Sequence, residues 1–238
     1  DVDTVKKDFP MWGFATDVRV QADCATVLRQ VAALVRAQAD EAFHQRVAAR
    51  MDQMRSAHRT RLQALQQAAQ SPGKVGAISA AYLCAALGAA IAPQDVVVNE
   101  AIRNTLAVLN QIPRTEALSM IAGAGGGLGY SGGMALGIKL ARPASRVVQI
   151  VGDGGFHFST PTSVYAVAQR HGLPIFTVVL DNGGWQAVKE AVVRVYPQGV
   201  AVETDEFQAR LQGQVRRFEQ IGQAFGAYGE CVSDPADV

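Results

Sequence analysis

The sequence predicts an α/β fold, in which a doubly wound parallel sheet is preceded by the end of a second α/β domain. Beyond Gly76, helix-like and strand-like segments alternate along the chain. The last strand-like segments are nearly continuous apolar runs, which is typical of parallel strands that helices cover on both faces. At the amino end, one alternating segment and the helix that follows it are too small to hold a core of their own.

The first 75 residues are predicted to form two pieces. Residues 16–23 alternate apolar and polar side chains, as a half-buried strand does, and Asp23 is placed to cap a helix whose apolar stripe should pack on a sheet. We assign residues 1–38 to the C-terminal end of this second α/β domain. Residues 39–75 are assigned to a helical linker rich in Ala, Gln and Arg.

Residues 76–238 are assigned to the doubly wound domain, which we expect to be truncated at its carboxyl end. Ligands of such a domain bind outside the carboxyl ends of its strands. The predicted strands cover residues 95–99, 119–122, 146–151, 175–180 and 228–232. The predicted helices cover residues 79–91, 130–140 and 162–171 and a segment that starts at residue 186.

Composition and charge argue against several classes of function. Twenty-two Lys and Arg residues against 21 Asp and Glu residues give a net charge of +1, so a basic surface for nucleic acid or an anionic membrane is not expected. No apolar stretch reaches the roughly 18 residues of a membrane span. Three scattered cysteines and the absence of a signal-like start favour the cytoplasm.

Two glycine-rich segments are candidates for ligand contact. The first, residues 123–133, lies between a predicted strand and a predicted helix, where missing Cβ atoms let a ligand approach the backbone. Part of it fits the GxGxxG pattern, and Asp153 follows at about the distance of a dinucleotide fingerprint. A nicotinamide or flavin site, or simply close packing of helix on sheet, therefore remains an alternative for this segment.

The second segment is more informative. Gly152-Asp153-Gly154-Gly155 follows one buried strand, and Asn182-Gly183-Gly184 follows the next. A carboxylate and an amide at neighbouring strand ends supply hard oxygen ligands to one crevice, and Mg²⁺ needs only a few such protein ligands when phosphate and water complete its shell. The N–H groups of Gly154 and Gly155 would be free for phosphate oxygens.

At these residues the sequence resembles the thiamine diphosphate-dependent enzymes of the acetolactate synthase, benzoylformate decarboxylase and pyruvate decarboxylase superfamily. Their signature is GDG followed by Asn, and Gly152-Asp153-Gly154 and Asn182 match it. The resemblance implies a thiamine diphosphate-binding fold and a Mg²⁺-dependent 2-oxo acid decarboxylase or carboligase similar to acetolactate synthase. A decarboxylase of the benzoylformate type and a non-catalytic diphosphate-binding module are the alternatives.

The resemblance also implies roles for individual residues. Asp153, the Asn182 side chain and the Gly184 carbonyl would bind the metal. Leu128 matches the apolar residue that bends the cofactor, and the Gly126 carbonyl would face the aminopyrimidine. Arg103 and Asn104 stand where the family has diphosphate contacts but are not its usual small hydroxyl residues. The other implied cofactor contacts are Gly127, Gly152, Gly154 and Gly155.

Two departures refine the expected activity. Asp181 replaces the first Asn of the family's usual Asn-Asn pair, and we expect its side chain to point away from the metal. Val188 stands where pyruvate decarboxylases carry a catalytic Glu, which favours a carboligase or another 2-oxo acid lyase. The family's activating Glu lies on an amino-terminal domain, so we expect this chain to be inactive alone. The remainder of the polypeptide and a second subunit, in a homodimer or homotetramer, would complete the site.

Overall fold

The computed structural model describes residues 17, 18, 20–123, 127–208, 210, 211 and 216–238. The chain divides into two units, and the division falls between Leu62 and Gln63. Within the described ranges, no helix is both long enough and apolar enough to cross a membrane.

The first unit begins its regular structure with helix α1, Cys24–Gln38. The prediction that Asp23 caps this helix is confirmed, because its carboxylate accepts a hydrogen bond of 2.8 Å from the Thr26 N–H. The predicted strand over residues 16–23 is wrong for the part that the structure describes, which contains one bridging residue, Val20, and no regular strand. A strand requires hydrogen bonds to a neighbour along its length, and alternation of side chains alone does not supply them.

The apolar stripe of α1 is exposed. Val31, Leu34 and Val35 have 49%, 58% and 45% of their surface accessible, so their packing on a sheet stays a prediction. The long helix predicted next in the chain is confirmed as α2, Glu41–Ala69. Asp40 starts it by accepting a 2.7 Å hydrogen bond from the Phe43 N–H.

The second unit is built on a four-stranded parallel sheet. Its strands are β3 (Val96–Glu100), β4 (Met120–Ala122), β5 (Val147–Gly152) and β6 (Phe176–Leu180), in the spatial order β4-β3-β5-β6. A short antiparallel hairpin of two strands with two residues each, β1 (Gly73–Lys74) and β2 (Ala77–Ile78), precedes the sheet in the chain. Because β4 lies on one side of β3 and β5 on the other, the strand order reverses at β3. The carboxyl ends of β3 and β5 therefore form the crevice in which doubly wound folds bind ligands.

Helices cover both faces of the sheet. One apolar cluster joins Cys84 and Val108 to Val97 and Ile150, and a second joins Ala135 to Val98 and Val147 on the opposite face. The predicted doubly wound arrangement is thereby confirmed, with alternate residues of each strand turned to opposite layers. The helices of this unit are α3 (Ala80–Ala90), α4 (Thr105–Gln111), α5 (Tyr130–Ala141), α6 (Asp153–Phe158), α7 (Pro161–His171), α8 (Gln186–Val195), α9 (Val200–Glu203) and α10 (Phe218–Gln223), with 3₁₀ turns at Ile102–Asn104 and Pro235–Asp237.

The predicted strand over residues 228–232 is wrong, because this segment is irregular chain. Its backbone is engaged by α10 instead of by the sheet. The Gly229 carbonyl accepts a 2.8 Å hydrogen bond from the Gln223 side chain. A Cβ on Gly229 would lie 2.4 Å from the Glu219 carbonyl oxygen, so the two backbones are in close contact there.

Candidate functional site

The register of β5 and β6 brings the two sequence motifs together. Gly152, the last residue of β5, pairs with Leu180, the last residue of β6. The chain then leaves both strands at the same level, so that Asp153 and the turn at residues 181–184 are adjacent. A cavity of about 470 Å³ lies at the opposite, amino edge of the sheet, lined by residues such as Gln94, Glu116 and Arg142, and it contains none of the predicted site residues.

Asp153 is a buried carboxylate with 1% of its surface accessible. Its Oδ1 accepts a 2.8 Å hydrogen bond from the Gly154 N–H, and its Oδ2 accepts bonds from the N–H groups of Gly183 (3.0 Å) and Gly184 (2.6 Å). Burial raises the pKa of Asp153 above its usual range, the neighbouring Asp181 adds to the effect, and the bonds from Gly184 and Gly154 oppose it. Gly183 and Gly184 have φ angles of +89° and +127°, which let the turn fold around the carboxylate.

Asn182 presents the second oxygen of the site. Its Oδ1 is buried and has no hydrogen-bond partner among the described residues. The Gly184 carbonyl accepts one hydrogen bond of 2.8 Å, from the Gln186 N–H, and keeps a second lone pair. A carboxylate, an orphaned amide oxygen and a carbonyl form the donor set that a hard cation such as Mg²⁺ prefers. The residues present therefore fit a metal at this position.

Asp181 is bound by an arginine that the sequence gave no reason to place there. The Arg216 Nε donates to both carboxylate oxygens of Asp181, at 3.0 and 2.8 Å. The Arg216 Nη1 also donates to the Leu211 carbonyl at 2.5 Å, and the Leu211 N–H donates to the Gly183 carbonyl at 2.7 Å. Arg216 thus joins Leu211 to the turn at residues 181–184 and balances the charge of Asp181.

The glycines of the GDGG motif are in contact with other side chains. A Cβ on Gly154 would lie 2.6 Å from the Trp185 Nε1, and a Cβ on Gly155 would lie 3.1 Å from the Glu100 Oε1. The Gly154 N–H already donates to Asp153. Close packing alone thus excludes a side chain at 154, and contact of both glycine N–H groups with a diphosphate stays a prediction.

Trp185 belongs to an aromatic group that sequence reasoning missed. Its indole stacks on the His157 ring, with centroids 6.2 Å apart, and meets the Phe158 ring edge-on at 5.7 Å. His157 also packs edge-on against Phe218, with ring centroids 5.4 Å apart. The Trp185 Nε1 is buried without a hydrogen-bond partner in the part of the chain that the structure describes.

The first glycine-rich segment is described only in part. Gly126 lies outside the described residues, whereas Gly127 is exposed and Leu128 has 37% of its surface accessible. The following Gly129 has a φ of +90°. These residues come directly before α5, at the carboxyl edge of the sheet, where the prediction requires Leu128 to be.

Arg103 and Asn104 lie in the 3₁₀ turn that follows β3, at the same edge of the sheet. Arg103 is paired with Glu190 of α8, and both side chains are about half exposed. Val188, also on α8, has 48% of its surface accessible. The structure therefore places all of these positions around the strand ends, and their contact with a cofactor stays a prediction.

The fold is a parallel α/β domain, and Asp153 and Asn182 lie at the carboxyl ends of its neighbouring strands β5 and β6. Residues 103–238 match the family described as "Thiamine pyrophosphate enzyme, C-terminal TPP binding domain". The match covers more than half of the 238 residues, and the chain belongs to this family. The resemblance stated from the sequence is confirmed.

Individual relatives agree with this assignment. The acetolactate synthase large subunit of Mycobacterium tuberculosis is 34% identical over 113 residues, which are 48% of this chain and 19% of the relative. The benzoylformate decarboxylase of Pseudomonas aeruginosa is 32% identical over 101 residues, 42% of this chain and 19% of the relative. The chain thus spans about a fifth of the length of these relatives.

Among solved structures, the thiamine diphosphate-dependent 4-hydroxybenzoylformate decarboxylase of Rhodococcus jostii RHA1 has the same fold. It aligns with a TM-score of 0.60 and 22% identity over 68% of this chain and 29% of its own.

Proposed function

We propose that this chain supplies the diphosphate-binding half of the active site of a thiamine diphosphate- and Mg²⁺-dependent 2-oxo acid decarboxylase/carboligase similar to acetolactate synthase. The observation that carries the proposal is the buried Oδ1 of Asn182, which has no hydrogen-bond partner among the described residues. The next two residues, Gly183 and Gly184, donate their N–H groups to the buried carboxylate of Asp153. Membership of the family supports thiamine diphosphate as the cofactor. The similarity to an acetolactate synthase supports the reaction class.

Each residue of the site has a task in this proposal. Asp153, the Asn182 Oδ1 and the Gly184 carbonyl would hold Mg²⁺, which in turn binds the diphosphate. Thiamine diphosphate, when bound, supplies the electron sink for the carbanion chemistry of 2-oxo acids. Leu128 would contact the cofactor between its rings, and Arg103 and Asn104 would add diphosphate contacts. The protein's part is to bind and orient the cofactor.

The reaction needs groups beyond this chain. We propose that the activating carboxylate comes from the amino-terminal remainder of the polypeptide or from a second subunit, and that the chain alone turns over no 2-oxo acid. In this proposal, residues 1–38 form the C-terminal end of a central α/β domain. Residues 39–75 link that domain to the cofactor-binding domain, which residues 76–238 form. We propose the cytoplasm as its location.

A second candidate is a decarboxylase of the benzoylformate type, which the similarity to the Pseudomonas enzyme supports. The two candidates differ in their product. A carboligase releases a hydroxy-ketone, whereas the second candidate releases the free aldehyde. Val188, which places no acid on the first turn of α8, leads us to expect the ligated product from the enzyme completed with its amino-terminal part.

Calorimetric titration of thiamine diphosphate into this chain tests the proposal, once with Mg²⁺ and once with EDTA. We expect saturable binding that depends on Mg²⁺, and its loss in Asp153→Asn, which keeps the size of the side chain and removes its charge. Equal affinity with EDTA, or equal affinity of the variant, would remove the metal assignment. Binding without turnover by the completed enzyme would favour a non-catalytic module.

A further inference from the structure

Glu100 is a buried carboxylate to which the sequence motifs assign no role. It is the last residue of β3 and has 1% of its surface accessible. Its Oε1 accepts a hydrogen bond from the Gly129 N–H, and its Oε2 accepts one of 3.0 Å from the Ser131 N–H. It therefore satisfies two N–H groups at the start of α5, where the helix dipole also favours a negative charge.

The same carboxylate touches the second glycine motif. A Cβ on Gly155 would lie 3.1 Å from the Glu100 Oε1 and 3.3 Å from its Cδ, so the backbone of Gly155 packs directly on it. Glu100 thus lies between Gly129, in the first glycine-rich segment, and the GDGG motif. These are the two segments that a cofactor with a ring end and a diphosphate end would span.

The end of β3 also holds the other side of the first glycine-rich segment. The Tyr130 hydroxyl donates to the Asn99 carbonyl at 2.7 Å and accepts a 3.1 Å hydrogen bond from the Gly123 N–H. Gly123 is thereby tied to Asn99, as Gly129 is tied to Glu100. Gly123 and Gly129, which lie on either side of Leu128 in the sequence, are thus both fixed to the end of β3.

We propose that Glu100 is a positioning residue that sets Leu128 at the correct distance from the diphosphate site, an inference that rests on the proposed function. Leu128 immediately precedes Gly129 and is 37% exposed, so its own packing restrains it little. The backbone of Gly129 is closely packed, because a Cβ there would lie 2.5 Å from the Phe158 carbonyl. Its N–H donates to Glu100, so the Glu100 carboxylate helps to fix where the backbone of Leu128 lies.

Only a carboxylate can fill this role. Two N–H donors face its two oxygens, and a glutamine would present one oxygen and one NH₂ group. One backbone N–H would then face a donor and lose its bond, which frees one flank of the segment. Glu100→Gln should consequently disturb Leu128 while it leaves Asp153 and Asn182 in place.

The test compares two probes on the full 238-residue chain, thiamine diphosphate and inorganic pyrophosphate, each titrated with Mg²⁺. Pyrophosphate uses only the diphosphate end of the site. We expect Glu100→Gln to weaken thiamine diphosphate binding by about tenfold, the equivalent of one lost charged hydrogen bond, and pyrophosphate binding by less than about twofold. The ratio of the two affinities is the readout, since general destabilisation would not change it.

Asp95→Asn is the matched control. Asp95 is a carboxylate with 4% of its surface accessible, just before β3 at the far end of the strand, and it accepts hydrogen bonds from the N–H groups of Ala92 (2.9 Å) and Arg146 (3.3 Å). Asp95→Asn should lower the unfolding temperature and leave the ratio of the two affinities at the wild-type value. Leu128→Ala, at a position that is 37% exposed, should keep the fold and change the ratio in the same way as Glu100→Gln.

The outcomes are distinct. If the wild-type chain binds neither probe, the proposed function is refuted, and so is this inference, which rests on it. If it binds both probes equally, or if the ratio is unchanged in Glu100→Gln, the positioning role of Glu100 is refuted while the diphosphate site stands. Should Glu100→Gln fail to fold, an unchanged ratio in Leu128→Ala refutes the role by itself.

Discussion

Asn182→Ala should separate the contribution of a side chain to cofactor binding from its contribution to stability. The Asn182 Oδ1 is buried and unpartnered among the described residues, and an unsatisfied buried acceptor costs about 1–3 kcal/mol. Asn182→Ala removes that acceptor together with some van der Waals contact, worth about 1 kcal/mol. We therefore expect the free energy of unfolding to stay unchanged or to rise by up to about 2 kcal/mol in metal-free buffer.

The same substitution should abolish cofactor binding. Urea unfolding without metal gives the stability, and calorimetry with thiamine diphosphate and Mg²⁺ gives the affinity. Wild-type protein should gain stability when both ligands are added, because they bind only the folded state, and Asn182→Ala should not. The reasoning is refuted if the variant is destabilised by more than about 1 kcal/mol, the net value of one ordinary hydrogen bond, or if it keeps the wild-type affinity.

Asp153→Ala provides the contrast. It leaves the N–H groups of Gly154, Gly183 and Gly184 without the carboxylate that accepts their hydrogen bonds. Bonds to a charged group contribute about 1.5–3 kcal/mol each, and relief from burying the charge offsets part of that sum. We expect a loss of at least about 2 kcal/mol of stability in addition to the loss of binding. Equal stability of the two alanine variants would show that the carboxylate does not organise the turn.

Three further predictions concern packing, charge and thiol reactivity. Gly154→Ala should destabilise the domain by about 1–3 kcal/mol in urea unfolding, because its Cβ would lie 2.6 Å from the Trp185 Nε1. The destabilisation should be smaller when Trp185 is also replaced by alanine, and an equal destabilisation in both backgrounds would rule out the clash. Arg216→Gln should lower the unfolding temperature because it leaves Asp181 uncompensated beside Asp153, and Asp181→Asn should restore that temperature. Arg55→Gln, at an exposed pair 2.9 Å from Asp52, should change it little. Failure of Asp181→Asn to rescue Arg216→Gln would contradict the pairing. Of the three cysteines, Cys24 and Cys231 are exposed and should react at once with a thiol reagent such as Ellman's. Burial raises the pKa of Cys84 to about 11, so its thiol should react only when the protein unfolds. Rapid reaction of all three thiols would contradict the packing of α3.

The framework of the domain could be predicted because its signals are local. The runs around Val148 and Val178 are nearly continuously apolar, which is typical of strands that helices cover on both faces. The predicted ends of both strands agree with the structure within one residue. Asp153 and Asn182 could be placed together because parallel strands end at the same edge. The segment at 228–232 was predicted to be a strand, but its Gly229 carbonyl accepts a hydrogen bond from the Gln223 side chain of α10, a partner that the local sequence does not reveal.

Contacts between distant residues could not be predicted, and they change the meaning of the motif itself. Glu100 meets Ser131 across 31 positions of sequence, and Trp185 packs on Gly154 across a similar distance. From the sequence, glycine at 154 and 155 indicated only that a ligand needs close access to the backbone. In the structure the indole of Trp185 and the carboxylate of Glu100 already occupy the space that side chains there would need. Glycine in this motif therefore satisfies the protein's own packing first, and access for a ligand is a consequence of a turn that such packing holds in place.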